Sequence, residues 1–202
     1  MSESPRERRQ EKTRQAILDA ALDIISEKGA LNLSLREIAR RIDYSPAGLY
    51  EYFAGKDEII QAVCDNALAQ LRDYLLAVDL ALPLPDYLIE IGLAYVQYAK
   101  DHPQQFLFFF VQGVDLLEED TAHPYTLDED ETIQIVDSAV QRGIESGQIR
   151  ADDRTSLEIG YGLWAIAHGA AMLQIRYIVG EPLNFPRADR ILLETYVRAL
   201  FV

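Results

Sequence analysis

Apolar positions along this chain recur at helical spacing. Ile17, Leu18, Ala21, Leu22, Ile24 and Ile25 fall on one side of a helix. Ser4-Pro5-Arg6-Glu7 has the form of a capping box with proline in the first turn, and Gly29 after Lys28 stops the helix. Ser34-Leu35-Arg36-Glu37 reads as a second capping box, opening a short helix with Leu35, Ile38, Ala39 and Ile42 on one face. Ser45 caps a third helix over residues 47–53, which buries Leu49 and Phe53. Lys56-Asp57-Glu58 opens a fourth, which runs toward Leu80 without Gly or Pro.

Further on, Pro83 and Pro85 introduce a helix over residues 86–100, and His102-Pro103 marks a junction. A very apolar helix follows through Phe106, Phe108, Phe109, Phe110 and Val111, then an acidic loop over residues 118–125. Residues 128–146 are helical up to Gly147, Asp153 caps a long helix through Ile178, and a last helix spans about residues 186–200. There is no strand alternation and no internal repeat. The prediction is an all-α chain of about nine helices. A three-helix N-terminal unit (residues 1–56) is joined by the fourth helix to a helical remainder (residues 57–202).

Composition narrows the function. Of 202 residues, 49% are apolar, enough for a true core. No apolar run approaches the roughly 18 residues that span a bilayer, and no apolar signal segment follows the first residues, so a cytoplasmic protein without membrane contact is expected. Cys64 is the single cysteine, which excludes an intrachain disulfide and a multi-cysteine zinc site. With three histidines and no Gly-rich phosphate loop, HExxH or GxSxG, the chain offers little catalytic material. Asp120 and His123 have i,i+3 metal-ligand spacing but lie in the acidic loop beside Pro124. The expectation is no enzyme, no cofactor and no metal.

The net charge of −14 argues at first against a nucleic-acid partner. Its distribution reverses that: residues 1–56 balance at +1 and the remainder carries −15. Any contact with DNA belongs to the N-terminal quarter. There, helices two and three are separated by a tight turn at Asp43-Tyr44, the spacing of a helix-turn-helix. In such a motif one helix lies across the sugar-phosphate backbone while the next turns its N-terminal residues to base edges. A small-faced start allows close approach, and Ser45-Pro46-Ala47-Gly48 provides one.

The region of about residues 12–63 resembles the tetracycline-repressor (TetR) family. It carries Ser34, Ile38-Ala39, Ser45, Leu49-Tyr50-Glu51-Tyr52-Phe53 and Lys56-Asp57-Glu58, preceded by a helix that ends at Gly29. The resemblance implies a phosphate contact from Ser34 and a base or phosphate contact from Arg36. It implies base edges facing Ser45, Pro46, Ala47 and Gly48, and phosphates held by Tyr50, Tyr52 and Lys56. Tyr52 also suits packing, Arg40 and Arg41 also suit solvent, and the Arg-rich first turns also suit ion pairs with Glu3, Glu7 and Glu11. The chain departs from the family in having Asp43 where glycine is usual, and Ala47-Gly48 where Gly-Thr or Gly-Ala is common. Aspartate adopts the left-handed turn at some cost.

The resemblance further implies a homodimer that binds a palindromic site and a small-molecule effector that releases it, with helix four carrying the change. In the long late helix, Gly162, Ala165, Gly169 and Met172 form a stripe of small residues or ones that yield room. It suits a second copy or a neighbour in the same chain. Leu192 and Tyr196 are the final-helix candidates for that interface. Tyr95, Tyr98, Phe106, Phe109, Gln112, Trp164 and His168 are the effector candidates, and aromatics at helical spacing equally suit plain core. The competing class is a helical dimeric adaptor of the same fold without sequence-specific DNA binding.

Overall fold

The computed structural model describes residues 4–113 and 130–202, with the side chains of 112 and 113 left aside. Among these residues lie nine α-helices: α1 (Pro5–Lys28), α2 (Leu35–Arg41), α3 (Pro46–Leu49), α4 (Lys56–Leu76), α5 (Leu84–Asp101), α6 (Pro103–Leu107), α7 (Glu131–Glu145), α8 (Ser156–Met172) and α9 (Phe185–Arg198). A 3₁₀ turn, Ala30–Asn32, links α1 to α2, and π-helical turns follow α6 and α8. One isolated β-bridge joins Ile149 to Phe201. No described helix is long and apolar enough to cross a membrane.

The chain divides into two compact units. The first holds the described residues of 4–67 and 104–113, the second those of 68–103 and 130–202. In the first unit, α1 starts as its sequence dictates. Ser4 Oγ accepts from the Glu7 N–H at 3.2 Å and Glu7 Oε2 accepts from the Ser4 N–H at 2.7 Å. It ends at Gly29, whose φ of 80° favours glycine. Ile17, Ala21 and Ile24 of α1, Ile38 of α2, Leu49 of α3 and Ile59 of α4 are each fully buried and form its core.

The second unit is built on α5, which packs against α7, α8 and α9. Its core includes Leu88, Ile91, Val96, Ala139, Val140, Ile159, Leu163, Ala167, Leu193 and Val197. The Tyr196 ring of α9 covers Gly162 of α8, where a Cβ would lie 2.6 Å from the ring's Cζ.

Several boundaries differ from the sequence expectation for local reasons. The third helix closes at Leu49, because residues 51 and 52 switch to i→i−3 bonds onto Gly48 and Leu49. Helix α4 stops at Leu76, where Asp79 Oδ1 captures the Ala81 N–H at 2.9 Å in a side-chain turn. Thr155, not Asp153, caps α8, because it forms a reciprocal box with Glu158. Ser34 makes only half of the predicted box: it accepts from the Glu37 N–H, while the Glu37 carboxylate is taken by Lys28. The apolar stretch after Pro103 is one short α-helix and then a π-helical turn from Phe108 to Gly113. The acidic loop at 118–125 lies outside the described residues.

Candidate functional site

Residues of α2 and its flanks sort by what holds their charge. Lys28 pairs with Glu37, and Arg41 pairs with Glu27 and, at 3.9 Å, with Asp23, so both cations fasten α1 to α2. The Lys28 contact holds the Glu37 carboxyl below its usual range, and Arg41 does the same for Glu27. Arg40 reaches Glu37 at a loose 3.9 Å. Arg36 is exposed and has no ion-pair partner among the described residues. Ser34 stands exposed just before it, its hydroxyl capping Glu37.

The turn between α2 and α3 is made by Asp43 at φ 52°. From there to Ala47 five successive residues are exposed or nearly so: Asp43, Tyr44, Ser45, Pro46 and Ala47. Gly48 follows, its N–H donating to Ser45 Oγ at 2.9 Å, a cap that contributes about 1 kcal/mol. Leu49 and Phe53 anchor the other side of this segment, and the Arg14 guanidinium lies 4.4 Å over the Phe53 ring. Tyr50 is 62% exposed. Tyr52 is half-buried, its ring edge-on to Tyr44 at 6.2 Å, and its hydroxyl contact raises the Tyr44 hydroxyl above its ordinary range. Lys56 opens α4, and its Nζ donates to the Leu31 carbonyl at 3.3 Å. The motif therefore presents a small-faced helix start, flanked by hydroxyls and a free guanidinium, on a rigid apolar base.

In the second unit three effector candidates form one hydrogen-bonded group. Trp164 Nε1 donates to Tyr95 Oη at 3.1 Å, and Tyr95 Oη lies 2.9 Å from His168 Nδ1. An indole N–H only donates, so Tyr95 Oη accepts from Trp164, and the direction of its contact with His168 follows the tautomer of the imidazole. Burial lowers the His168 pKa and raises that of Tyr95. Trp164 remains 38% exposed, with Tyr161 edge-on at 6.3 Å. Tyr98 is buried beside Tyr74 and His102. Phe106 and Phe109 belong to the first unit, each against Phe110. The Gln112 side chain, Asp120 and His123 lie outside the described residues. Cys64 is buried and its thiol is pushed up to about 12 by burial, as an inert packing residue would be.

Of the interface candidates, Gly162 and Tyr196 meet each other inside the chain. Ala165 is exposed, Gly169 has open space where a Cβ would lie, Met172 is half-buried and Leu192 is 45% exposed.

One polar pair escaped the sequence reading. Asp189 of α9 is only 6% exposed, and both its oxygens lie on Gln174 Nε2, at 2.9 and 3.0 Å. Burial raises its carboxyl above the usual range, while the Gln174 contact and Lys100 pull the other way. The buried Gln174 Oε1 has no hydrogen-bond partner among the described residues. An aspartate in the first turns of a helix looks like an ordinary surface acid, so no local signal marked it.

Residues 17–63 match the family described as bacterial regulatory proteins, tetR family, and residues 88–197 match the tetracyclin repressor-like C-terminal domain. The HTH-type transcriptional regulator BetI of Rhizobium meliloti is 32% identical over 104 residues, 50% of this chain and 51% of that protein. An uncharacterized HTH-type transcriptional regulator of Haemophilus influenzae is 42% identical over 66 residues, 32% of each chain. The chain thus spans about half the length of the first of these curated relatives, and less of the second. Among solved structures, a tetR-family bacterial regulatory protein from Rhodococcus RHA1 superposes with a TM-score of 0.74 at 16% identity, over 94% of this chain and 97% of that one. The TetR-family regulator PfmR of Thermus thermophilus gives 0.66 at 22% identity, over 90% and 97%. At these identities the likeness is one of fold.

Proposed function

Because the chain belongs to the TetR family of helix-turn-helix transcriptional regulators, we propose that it is a ligand-responsive repressor, binding a palindromic operator as a homodimer and released by a small-molecule effector. Its partners are then double-stranded DNA, an effector and a second copy of itself, and its place is the cytoplasm. The observation that carries this reading is the exposed run from Asp43 to Ala47, backed by Leu49 and Phe53 and flanked by the unpaired Arg36. Ser34, Tyr50, Tyr52 and Lys56 position the protein on phosphates, Arg36 reaches a base or a phosphate, and the start of α3 reads bases. Division at residue 56 leaves α4, unbroken from Lys56 to Leu76, to link the reader to the rest.

The exposed apolar residues Leu157, Tyr161, Ile191 and Leu192 support a covering by the second copy, with Ala165 and Gly169 allowing close approach. The Tyr95–Trp164–His168 group supports effector recognition there: aromatic surface with a few placed polar groups suits a small molecule. Effector binding then shifts the population toward dimers whose α3 helices no longer match successive major grooves.

The test is selection of bound sequences from a random duplex pool at physiological salt. A recovered palindrome supports the reading, and its half-site spacing gives the dimer geometry. No enrichment, with helicity intact by circular dichroism, favours the adaptor without sequence-specific DNA binding.

A further inference from the structure

Two aspartates in the described residues take the left-handed backbone conformation, Asp43 at φ 52° and Asp152 at φ 53°. The carboxylate of Asp152 lies 3.5 Å from Arg154. That of Asp43 has neither an ion pair nor a hydrogen bond among the described residues. Most other acids around the motif are engaged: Glu27 and Asp23 with Arg41, Glu37 with Lys28, Glu58 with the Ala54 N–H. Asp43 is exposed, and it stands two residues before the Ser45 cap. Glycine would take this φ freely, and asparagine would take it without the charge. Strain and an unpaired charge therefore coincide at one residue on the surface proposed to meet DNA.

Resting on the proposed DNA reading, we propose that Asp43 is a specificity-determining residue. The turn before the start of a recognition helix lies at the lip of the groove, between phosphates and base edges. Against generic duplex its carboxylate faces phosphate and is repelled. On the operator it accepts a hydrogen bond from an exocyclic amino group, cytosine N4 above all, with adenine N6 the other donor in the major groove. Asp43 thus lowers affinity for wrong DNA more than for the operator. Its effect is a wider ratio between the two rather than tighter binding.

The experiment measures binding of the full chain, its Asp43→Asn and Asp43→Gly variants, and Glu181→Gln as a charge control outside the first unit. Each is titrated with its selected operator and with random duplex of equal length, from 50 to 200 mM salt. Removing one negative charge per subunit steepens the salt dependence by about two units for a dimer, which is a roughly tenfold larger loss of affinity across that range. The expected result is tighter binding of random duplex at 50 mM by both Asp43 variants, a smaller change on the operator, and no change with Glu181→Gln. Repeating the selection with Asp43→Gly, which removes the acceptor altogether, should relax one position per half-site that is C or A in the parent's motif. Unchanged random-duplex affinity, an equal gain on both duplexes, or an unaltered selected motif overturns the proposal. Arg36→Ala is run alongside. If the parent and the Asp43 variants bind no duplex and Arg36→Ala changes nothing, the DNA reading itself is overturned, and this inference with it.

Discussion

The Tyr196 ring of α9 lies across Gly162 of α8, and its hydroxyl donates to the Ile159 carbonyl one turn earlier at 2.8 Å. Glycine at 162 leaves room for that ring, so α8 and α9 meet more closely than side chains would otherwise allow. Gly162→Ala pushes a methyl into the tyrosine and should lower stability by roughly 1–3 kcal/mol. Tyr196→Phe loses only the hydrogen bond, about 1 kcal/mol. Thermal melting of both variants checks this. A Gly162→Ala chain as stable as the parent would show that the ring moves aside freely.

Arg36 and Arg41 sit on the same short helix with opposite attachments, one free and one clamped to α1. Arg36→Ala should leave the melting temperature unchanged and weaken operator binding by about 1–3 kcal/mol. Arg41→Ala should leave DNA affinity unchanged and change stability little, since its acidic partners are exposed. Anisotropy titrations with the selected operator separate the two. Equal losses of DNA affinity would mean that clamping does not divide the roles.

Trp164 is the one tryptophan in the chain, so its emission reports the Tyr95–His168 group directly. Tyr95→Phe removes two hydrogen bonds from that group, should cost about 1–2 kcal/mol, and should shift the indole emission. The His168 pKa lies below its ordinary value because burial disfavours the charged ring. The unfolded chain therefore takes up this proton first. His168 contributes fully to stability above the ordinary histidine range near pH ~6.5, and that contribution is lost as pH falls through this range toward the folded value. A His168→Gln variant should lose less stability than the parent between about pH 7 and 5. Parallel curves would dissociate His168 from the acid response.

For Asp189 the sign is the other way. The folded protein holds this proton more tightly than the unfolded chain, so the group favours folding at low pH, and that support is lost as pH rises through the folded value. At neutral pH a buried carboxylate with one amide for both oxygens works against folding. Asp189→Asn keeps the shape and supplies a donor that can reach Gln174 Oε1. It should stabilise the chain at neutral pH by about 1–3 kcal/mol, with the gain shrinking as pH falls. A destabilised Asp189→Asn variant would mean that the charge itself is needed.

The residues that made the motif legible are those whose partners lie within one turn. Ser4 with Glu7 and Ser45 with Gly48 behave as their spacing dictates, and Asp43 takes the left-handed turn expected of it. Where two local choices compete, sequence alone does not decide. Asp153 and Thr155 both suit a cap, and only the second has glutamate three residues on to complete a box. Glu37 could have closed a box on Ser34, but Lys28, nine residues away, wins it. The π-helical turn after α6 has the same apolar composition as an α-helix, so periodicity could not reveal it. Gln174–Asp189 and the meeting of Gly162 with Tyr196 join residues fifteen and more positions apart and exist only once α8 and α9 pack.

The bond from Lys56 to the Leu31 carbonyl ties the first turn of α4 to the link between α1 and α2. With Lys28 and Arg41 clamping α1 to α2, the short segments of the motif are stapled to one another. These contacts join the short segments of the motif within the first unit. On the proposed repressor reading, a ligand held elsewhere in the chain would change how often DNA is gripped and for how long, while the letters preferred by each half remain the same.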